Sequence, residues 1–242
     1  MEPTNLIINL NEIYFAYPAM EPILKNFNLK LYKGQRLGVT GQNGSGKTTI
    51  FHIIMGLLKA SSGDMEFFGK LIHEEKDFQE IRQKIGLLFQ DSDDQLFSPT
   101  VLEDVAFGPL NLGKSKKEAI DISKKTLKRL GLQGFEDRIT YKLSGGEKRL
   151  VSLATVLAMK PDVLLLDEPT TGLDDKTKES LIQLLGDLDQ SYIIISHDFN
   201  FLSRTTSSIS LMEKGQLFMD KDFHIHQHYH SHRHGTYPHK HN

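Results

Sequence analysis

Residues 36–48 read Arg36-Leu37-Gly38-Val39-Thr40-Gly41-Gln42-Asn43-Gly44-Ser45-Gly46-Lys47-Thr48. A short apolar run enters a glycine-rich turn. From Gly46 to Leu58 the apolar residues Ile50, Phe51, Ile53, Ile54, Leu57 and Leu58 then recur at helical spacing. The turn fits G-x4-G-K-[ST] and lies between strand and helix, the context that gives the pattern meaning. Glycines let the backbone curl so that successive N–H groups point at phosphate oxygens. The helix start adds partial positive charge. Lys47 is a mobile charge for β and γ phosphates, and Thr48 offers a hydroxyl to Mg²⁺.

Working outward, two further runs match this chemistry. Val163 to Leu166 is an uninterrupted apolar strand that ends in Asp167-Glu168-Pro169. In α/β sheets ligands bind at the carboxyl ends of the parallel strands. Asp167 is the candidate Mg²⁺ ligand, and Glu168 the candidate base for a water aimed at the γ-phosphate. An acidic pair after a strand is, by itself, more often a turn or a helix cap; beside a phosphate loop the odds reverse. Leu143-Ser144-Gly145-Gly146-Glu147 precedes a helical run (Leu150, Leu153, Ala154, Leu157, Ala158) and makes a second anion-binding helix start.

The rest of the chain sets the architecture. Leu6-Ile7-Ile8, Ile13-Tyr14-Phe15 and Leu29–Leu31 are short apolar runs punctuated by Pro18 and Pro22, and they predict a strand meander. Met65–Phe68, Ile85–Phe89, Tyr192–Ile195 and two runs between Ile209 and Met219 predict further strands, with helices over Lys116–Leu130 and Lys176–Leu188. Strands alternating with helices predict an α/β core with a mixed sheet, an N-terminal antiparallel β subdomain, and a charge-rich helical subdomain over about 91–158.

Composition narrows the classes. The 242 residues carry 29 Lys+Arg against 31 Asp+Glu, a net charge of −2, so there is no general pull toward nucleic acid. The absence of cysteine excludes disulfides, zinc–thiolate sites and cysteine nucleophiles. No apolar run is long enough to span a bilayer. The N-terminal residues lack a secretory pattern, which predicts a cytosol-like compartment. Eight of the 11 histidines fall in the last 19 residues.

Taken together, about residues 5–220 resemble the nucleotide-binding subunit of ABC transporters, with Leu143–Glu147 as that family's signature. The resemblance implies an ATPase acting as a head-to-tail homodimer, or paired with a paralogue. Each ATP would then sit between one copy's phosphate loop and the other's Ser144, Gly145 and Gly146. It implies that Tyr17 stacks on adenine, that Gly41 to Thr48 with Thr49 bind the phosphates, and that Gln90 touches Mg²⁺ alongside Thr48 and Asp167. Gly172-Leu173-Asp174 is similar to the dimer-contact loop. His197 matches the residue that contacts the γ-phosphate, joining Glu168 and Lys47 as catalytic residues. Asp175 and Lys148 depart from the family pattern, which often has proline and glutamine there; neither is assigned any chemistry.

Phe89–Phe97 and Thr100–Leu112 resemble the energy-coupling-factor group, whose members import vitamins and transition-metal ions. That implies a separate transmembrane coupling subunit, a substrate-capture subunit, and a place on the cytoplasmic face of the cell membrane. After an ATP-binding domain over 1–222, a tail over 223–242 carries His224, His226, His228, His230, His232, His234, His239 and His241. It is read as disordered without metal. Alternate histidines share one side of an extended chain, and imidazole suits Ni²⁺, Co²⁺, Cu²⁺ and Zn²⁺. The interspersed Gln, Tyr, Ser, Arg and Lys set it apart from a plain affinity tag. Tail and resemblance together point to nickel or cobalt import. A vitamin importer with the tail as metal buffer, and a metal-binding regulatory or storage protein, stay open.

Overall fold

The computed structural model describes residues 5–219, and the expectations for the histidine tail lie outside them. In chain order the elements are β1 (Leu6–Phe15), β2 (Leu24–Tyr32), β3 (Arg36–Gly41), α1 (Lys47–Ile54), β4 (Ser62–Phe67), β5 (Lys70–Leu71), α2 (Glu75–Lys84), β6 (Ile85–Leu88), α3 (Val101–Asn111), α4 (Lys116–Arg129), α5 (Gly145–Ala158), β7 (Val163–Asp167), α6 (Asp175–Gly186), β8 (Ser191–Ile195), α7 (Phe199–Thr205), β9 (Ser208–Glu213) and β10 (Gln216–Met219). Short 3-10 turns at Ser92–Asp94 and Thr140–Lys142 flank α3 and α4.

Two sheets form. One has the order β2-β1-β4-β5 and is antiparallel throughout; the other has the order β10-β9-β3-β8-β7-β6 and is parallel except for β10. The apolar runs explain the parallel sheet. Val163, Leu164, Leu165 and Leu166 of β7 are all fully buried. Val163 and Leu165 join the core between the two sheets, while Leu164 and Leu166 join the core beneath α6 and α7. Ile193 and Ile195 of β8 face the first core, and Tyr192 and Ile194 the second. Strand alternation thus feeds both cores, each leucine contributing about 1.5–3 kcal/mol.

A third core, with Val101, Val105, Leu127, Val151 and Ala154, holds α3, α4 and α5 together. These helices open on the same device. Thr100 with Glu103, Ser115 with Glu118, and Ser144 with Glu147 form capping boxes, in which side chains satisfy the first amides reciprocally.

Three expectations need correction. Leu6–Ile8 and Ile13–Phe15 belong to one ten-residue strand, β1, whose register slips between Leu10 and Ile13 around Glu12, at φ 52°. The extra residue of such a bulge breaks the alternation on which the reading relied. The helix after the phosphate loop stops at Ile54, which leaves Leu57 exposed. Helix α2, absent from the predicted elements, forms because Glu74 and Asp77 close a capping box ahead of the buried Phe78 and Ile81.

Candidate functional site

Strand β3 delivers the chain to the phosphate loop, and the loop's shape depends on missing side chains. Gly46, the N-cap of α1, has φ 103°, and a Cβ there would lie 2.8 Å from Ile23. A Cβ on Gly41 would overlap the Met212 carbonyl oxygen at 2.2 Å. Helix α1 has neither a side-chain cap nor an acidic residue in its first turn, so its leading amides are left for a ligand. Those amides open onto a cavity of about 340 Å³ lined by Tyr17, Ile23, Asn43, Gly44, Gly46, Lys47, Thr48, Thr49, Gln90, Asp167, Glu168, Ile195 and His197.

Lys47 is buried and donates from Nζ to the Gly41 and Gln42 carbonyls, at 2.8 and 2.9 Å. Burial lowers its pKa against the opposing pull of Glu168 and Asp167. Thr48 Oγ1 donates to Asp167 Oδ2 at 2.6 Å, which joins the helix start to the end of β7. Asp167 is 2% exposed, and burial raises its pKa although the Thr48 hydrogen bond and the Arg149, His52 and Lys47 charges oppose that rise.

Glu168 follows in a left-handed conformation, φ 48°, with its N–H bonded to the Ile195 carbonyl at 2.9 Å. A non-glycine residue at positive φ is strained, and such strain gathers at functional positions. Ser196 Oγ donates to Glu168 Oε2 at 3.3 Å, and His197 Nε2 lies 3.6 Å from Oε1. Burial raises the Glu168 pKa, offset in part by the His197 charge and by hydrogen bonds from His197 and Ser196. A carboxylate lifted toward neutrality is better matched to proton transfer at physiological pH than an exposed one. His197 Nε2 also lies 3.1 Å from Asn43 Oδ1, which ties the end of β8 to the phosphate loop. Tyr17 packs edge-on against Phe15, centroids 4.9 Å apart, and its hydroxyl is 3.4 Å from Thr49 Oγ1.

The donor set suits Mg²⁺, a hard cation that takes oxygen ligands. Thr48, Asp167 and Gln90 line one cavity. Ser45 Oγ and Glu168 Oε1 are buried with no hydrogen-bond partner. Bound there, Mg²⁺ would neutralise charge on the terminal phosphates; Thr48, Asp167 and Gln90 are the residues that would hold it.

The signature residues stand elsewhere. Ser144, Gly145 and Gly146 do not line this cavity. Ser144 caps α5, with its hydroxyl 2.8 Å from Glu147 Oε2 and 3.3 Å from the Glu147 N–H. Gly146 packs on the loop after β7: a Cβ there would lie 2.8 Å from the Gly172 carbonyl oxygen. Within one chain the phosphate loop, acidic strand end and His197 come together, and the signature does not join them.

Arg149 was missed by sequence reasoning. It is 3% exposed and donates to the carbonyls of Phe89, Gln90 and Asp167. A signal existed, because Arg149 shares the buried face of α5 with Leu153 and Val156 at helical spacing. Lys148, set aside above, pairs with Asp93 at 2.5 Å. No helix among the described residues is long and apolar enough to cross a membrane.

The family model described as ABC transporter matches residues 24–171, more than half of the chain. The energy-coupling factor transporter ATP-binding protein EcfA of Methanothermobacter thermautotrophicus is 41% identical over 88% of this chain and 70% of its own. Among solved structures, cbiO1 of Clostridium perfringens, described as part of the ABC transporter complex cbiONQ, superposes with TM-score 0.77 and 35% identity over 88% of this chain and 87% of its own. The dimeric structure of a bacterial ABC transporter cassette superposes with TM-score 0.80 and 30% identity over 87% of this chain and 96% of its own.

Proposed function

The chain belongs to the ABC transporter family of ATP-binding subunits, as an ATPase coupled to transport, and we propose that it powers import of nickel or cobalt. In this reading two copies work head to tail against a separate transmembrane coupling subunit, on the cytoplasmic face of the membrane. The observation that carries the dimer is the division of the site. One chain assembles the phosphate loop, the acidic strand end and His197 around one cavity and holds Ser144–Gly146 outside it. A second copy supplies what the first lacks.

Within each site Lys47 and the α1 amides hold the β and γ phosphates, and Tyr17 takes the adenine. Glu168 accepts the proton of the attacking water while Ser196 steadies its other oxygen. His197, anchored on Asn43 and beside Glu168, holds the γ-phosphate side. Ser144 and the α5 amides of the opposite copy complete the oxyanion environment.

Beside Gln90 lies a groove of about 330 Å³ between α2, β6, α3 and α5, with Leu57, Phe97 and Phe107 on its rim. The Phe97 and Phe107 rings meet edge to face at 4.8 Å and are largely exposed. We assign the groove to a helix of the coupling subunit, so that closure around ATP moves the partner through the Gln90 segment.

The domain boundary near residue 222 and the metal tail belong to the same proposal. His224, His226, His228, His230, His232, His234, His239 and His241 offer imidazole ligands of the kind that suit nickel or cobalt. Uptake of labelled nickel and cobalt in native cells tests it, comparing wild type, Glu168→Gln and a chain ended at Asp222. Loss of uptake in Glu168→Gln is expected, with the truncation reporting what the tail adds. Unchanged uptake of both metals would overturn the cargo, favouring a vitamin importer with the tail as a metal buffer.

A further inference from the structure

Helix α5 begins at the signature and ends in the third core, and its Lys148–Thr155 stretch grips the Gln90 segment of the same chain. Arg149, five residues beyond Ser144 and so about 7 Å along the helix axis, spreads its guanidinium over three carbonyls at the ends of β6 and β7: Phe89, Gln90 and Asp167. The Phe89 N–H is held from the same side. It donates to Gln95 Oε1 at 3.1 Å, and Gln95 Nε2 donates to the Ser152 carbonyl and Thr155 Oγ1 of α5, both at 2.8 Å. Lys148 adds an ion pair to Asp93, three residues past Gln90. Burial lowers the Arg149 pKa to about 10, which leaves it charged at neutral pH. The cation is matched to what surrounds it: an apolar side chain of similar size would leave three carbonyl oxygens without this donor, so the guanidinium fixes the ends of both strands to α5.

We propose that Arg149, supported by the Lys148–Asp93 pair, is a positioning residue that ties the signature helix to the Gln90–Asp167 wall of its own chain. A nucleotide of the partner copy seated at Ser144–Gly146 then sets the geometry of this chain's own site. This rests on the head-to-tail dimer proposed above. Arg149 does not line the phosphate-loop cavity; it links the two sites that a head-to-tail pair forms between its copies. Lys148, with glutamine expected from the family pattern, supplies a second tie on the exposed rim.

The test uses the full chain and reads kcat, KM and the Hill coefficient for ATP, with nucleotide-driven dimerisation followed by light scattering. Arg149→Lys keeps one charge and loses the planar fork. The expected result is a kcat lower by about tenfold to a hundredfold, a KM for ATP little changed, and a Hill coefficient falling from about 2 toward 1. Lys148→Asp should lower the Hill coefficient without loss of melting temperature, and adding Asp93→Lys should restore it. Wild-type kcat and Hill coefficient in Arg149→Lys would overturn the proposal, as would a Lys148→Asp defect that the charge swap leaves in place. Non-cooperative turnover by an unsubstituted protein that does dimerise with ATP would overturn this inference alone; no ATP-driven dimer at all would overturn the head-to-tail reading beneath it.

Discussion

Helices α1 and α5 both open at a glycine-rich turn, and both were read as anion sites, yet their first turns are built differently. At α1 the N-cap is Gly46, with no capping side chain and no carboxylate nearby in sequence. At α5 the N-cap is Ser144, and Glu147 already returns a charge to the helix start. The Ser144 hydrogen bonds hold the Glu147 pKa low, and Arg138 pairs with it at 2.9 Å. The first helix start therefore needs an anion from outside, and its own chain surrounds it with Lys47, Thr48, Asp167 and Glu168. The second is satisfied alone and has no catalytic group beside it. Glycine content does not separate a complete phosphate site from half of one; the neighbouring side chains do.

Breaking the α1 side should have the largest effect. Glu168→Gln keeps the volume and removes the proton acceptor, so kcat should fall by about 10²–10⁴-fold while ATP binding stays near wild type. Single-turnover hydrolysis and nucleotide fluorescence would check this; near-normal turnover would remove Glu168 from its role. The pH profile sharpens it. The base works ionised, and burial raises its pKa above the usual 4.5. Wild-type turnover should therefore fade as pH drops through a value above 4.5, and the residual rate of the variant should not share that limb.

Breaking the α5 side should lower turnover almost as far, without disturbing the chain itself. A Cβ at Gly145 meets nothing within 4 Å, and an acidic residue suits a helix first turn. Gly145→Asp should thus fold and bind ATP normally, yet dimerise with ATP and hydrolyse it poorly. Mixing it with Lys47→Ala, also impaired alone, should recover turnover, because one of the two mixed sites joins an intact phosphate loop to an intact signature. No recovery would argue that both anion sites serve one chain.

How much of this was legible depended on the kind of pattern. The buried strands β7 and β8 stood out because both faces are apolar. The phosphate loop and the acidic pair stood out because their spacing is short-range and chemically narrow. Helix α2 and the bulge in β1 did not, since a box closed by Glu74 and Asp77 departs from the usual serine or threonine cap, and one extra residue inverts the strand alternation. The carbonyl partners of Arg149 and the Asn43–His197 contact were illegible for another reason: they join segments 59 and 154 residues apart. The repeated S/T-x-x-E openings at 100, 115 and 144 were readable from the letters and would have placed α3.

Those openings supply the smallest and most discriminating prediction. Ser115 and Ser144 make the same box, with hydroxyl-to-carboxylate distances of 2.6 and 2.8 Å and amide-to-hydroxyl distances of 3.3 Å in both. As caps they are equivalent, so Ser115→Ala and Ser144→Ala should each cost about 1 kcal/mol of stability, measured by urea unfolding. If Ser144 also reaches the partner's γ-phosphate, its substitution should lower kcat where Ser115→Ala leaves it unchanged. Equal stability losses with unequal activities would separate the two roles that one serine carries. Equal activities would leave Ser144 a helix cap and shift the anion contact at α5 to its backbone amides.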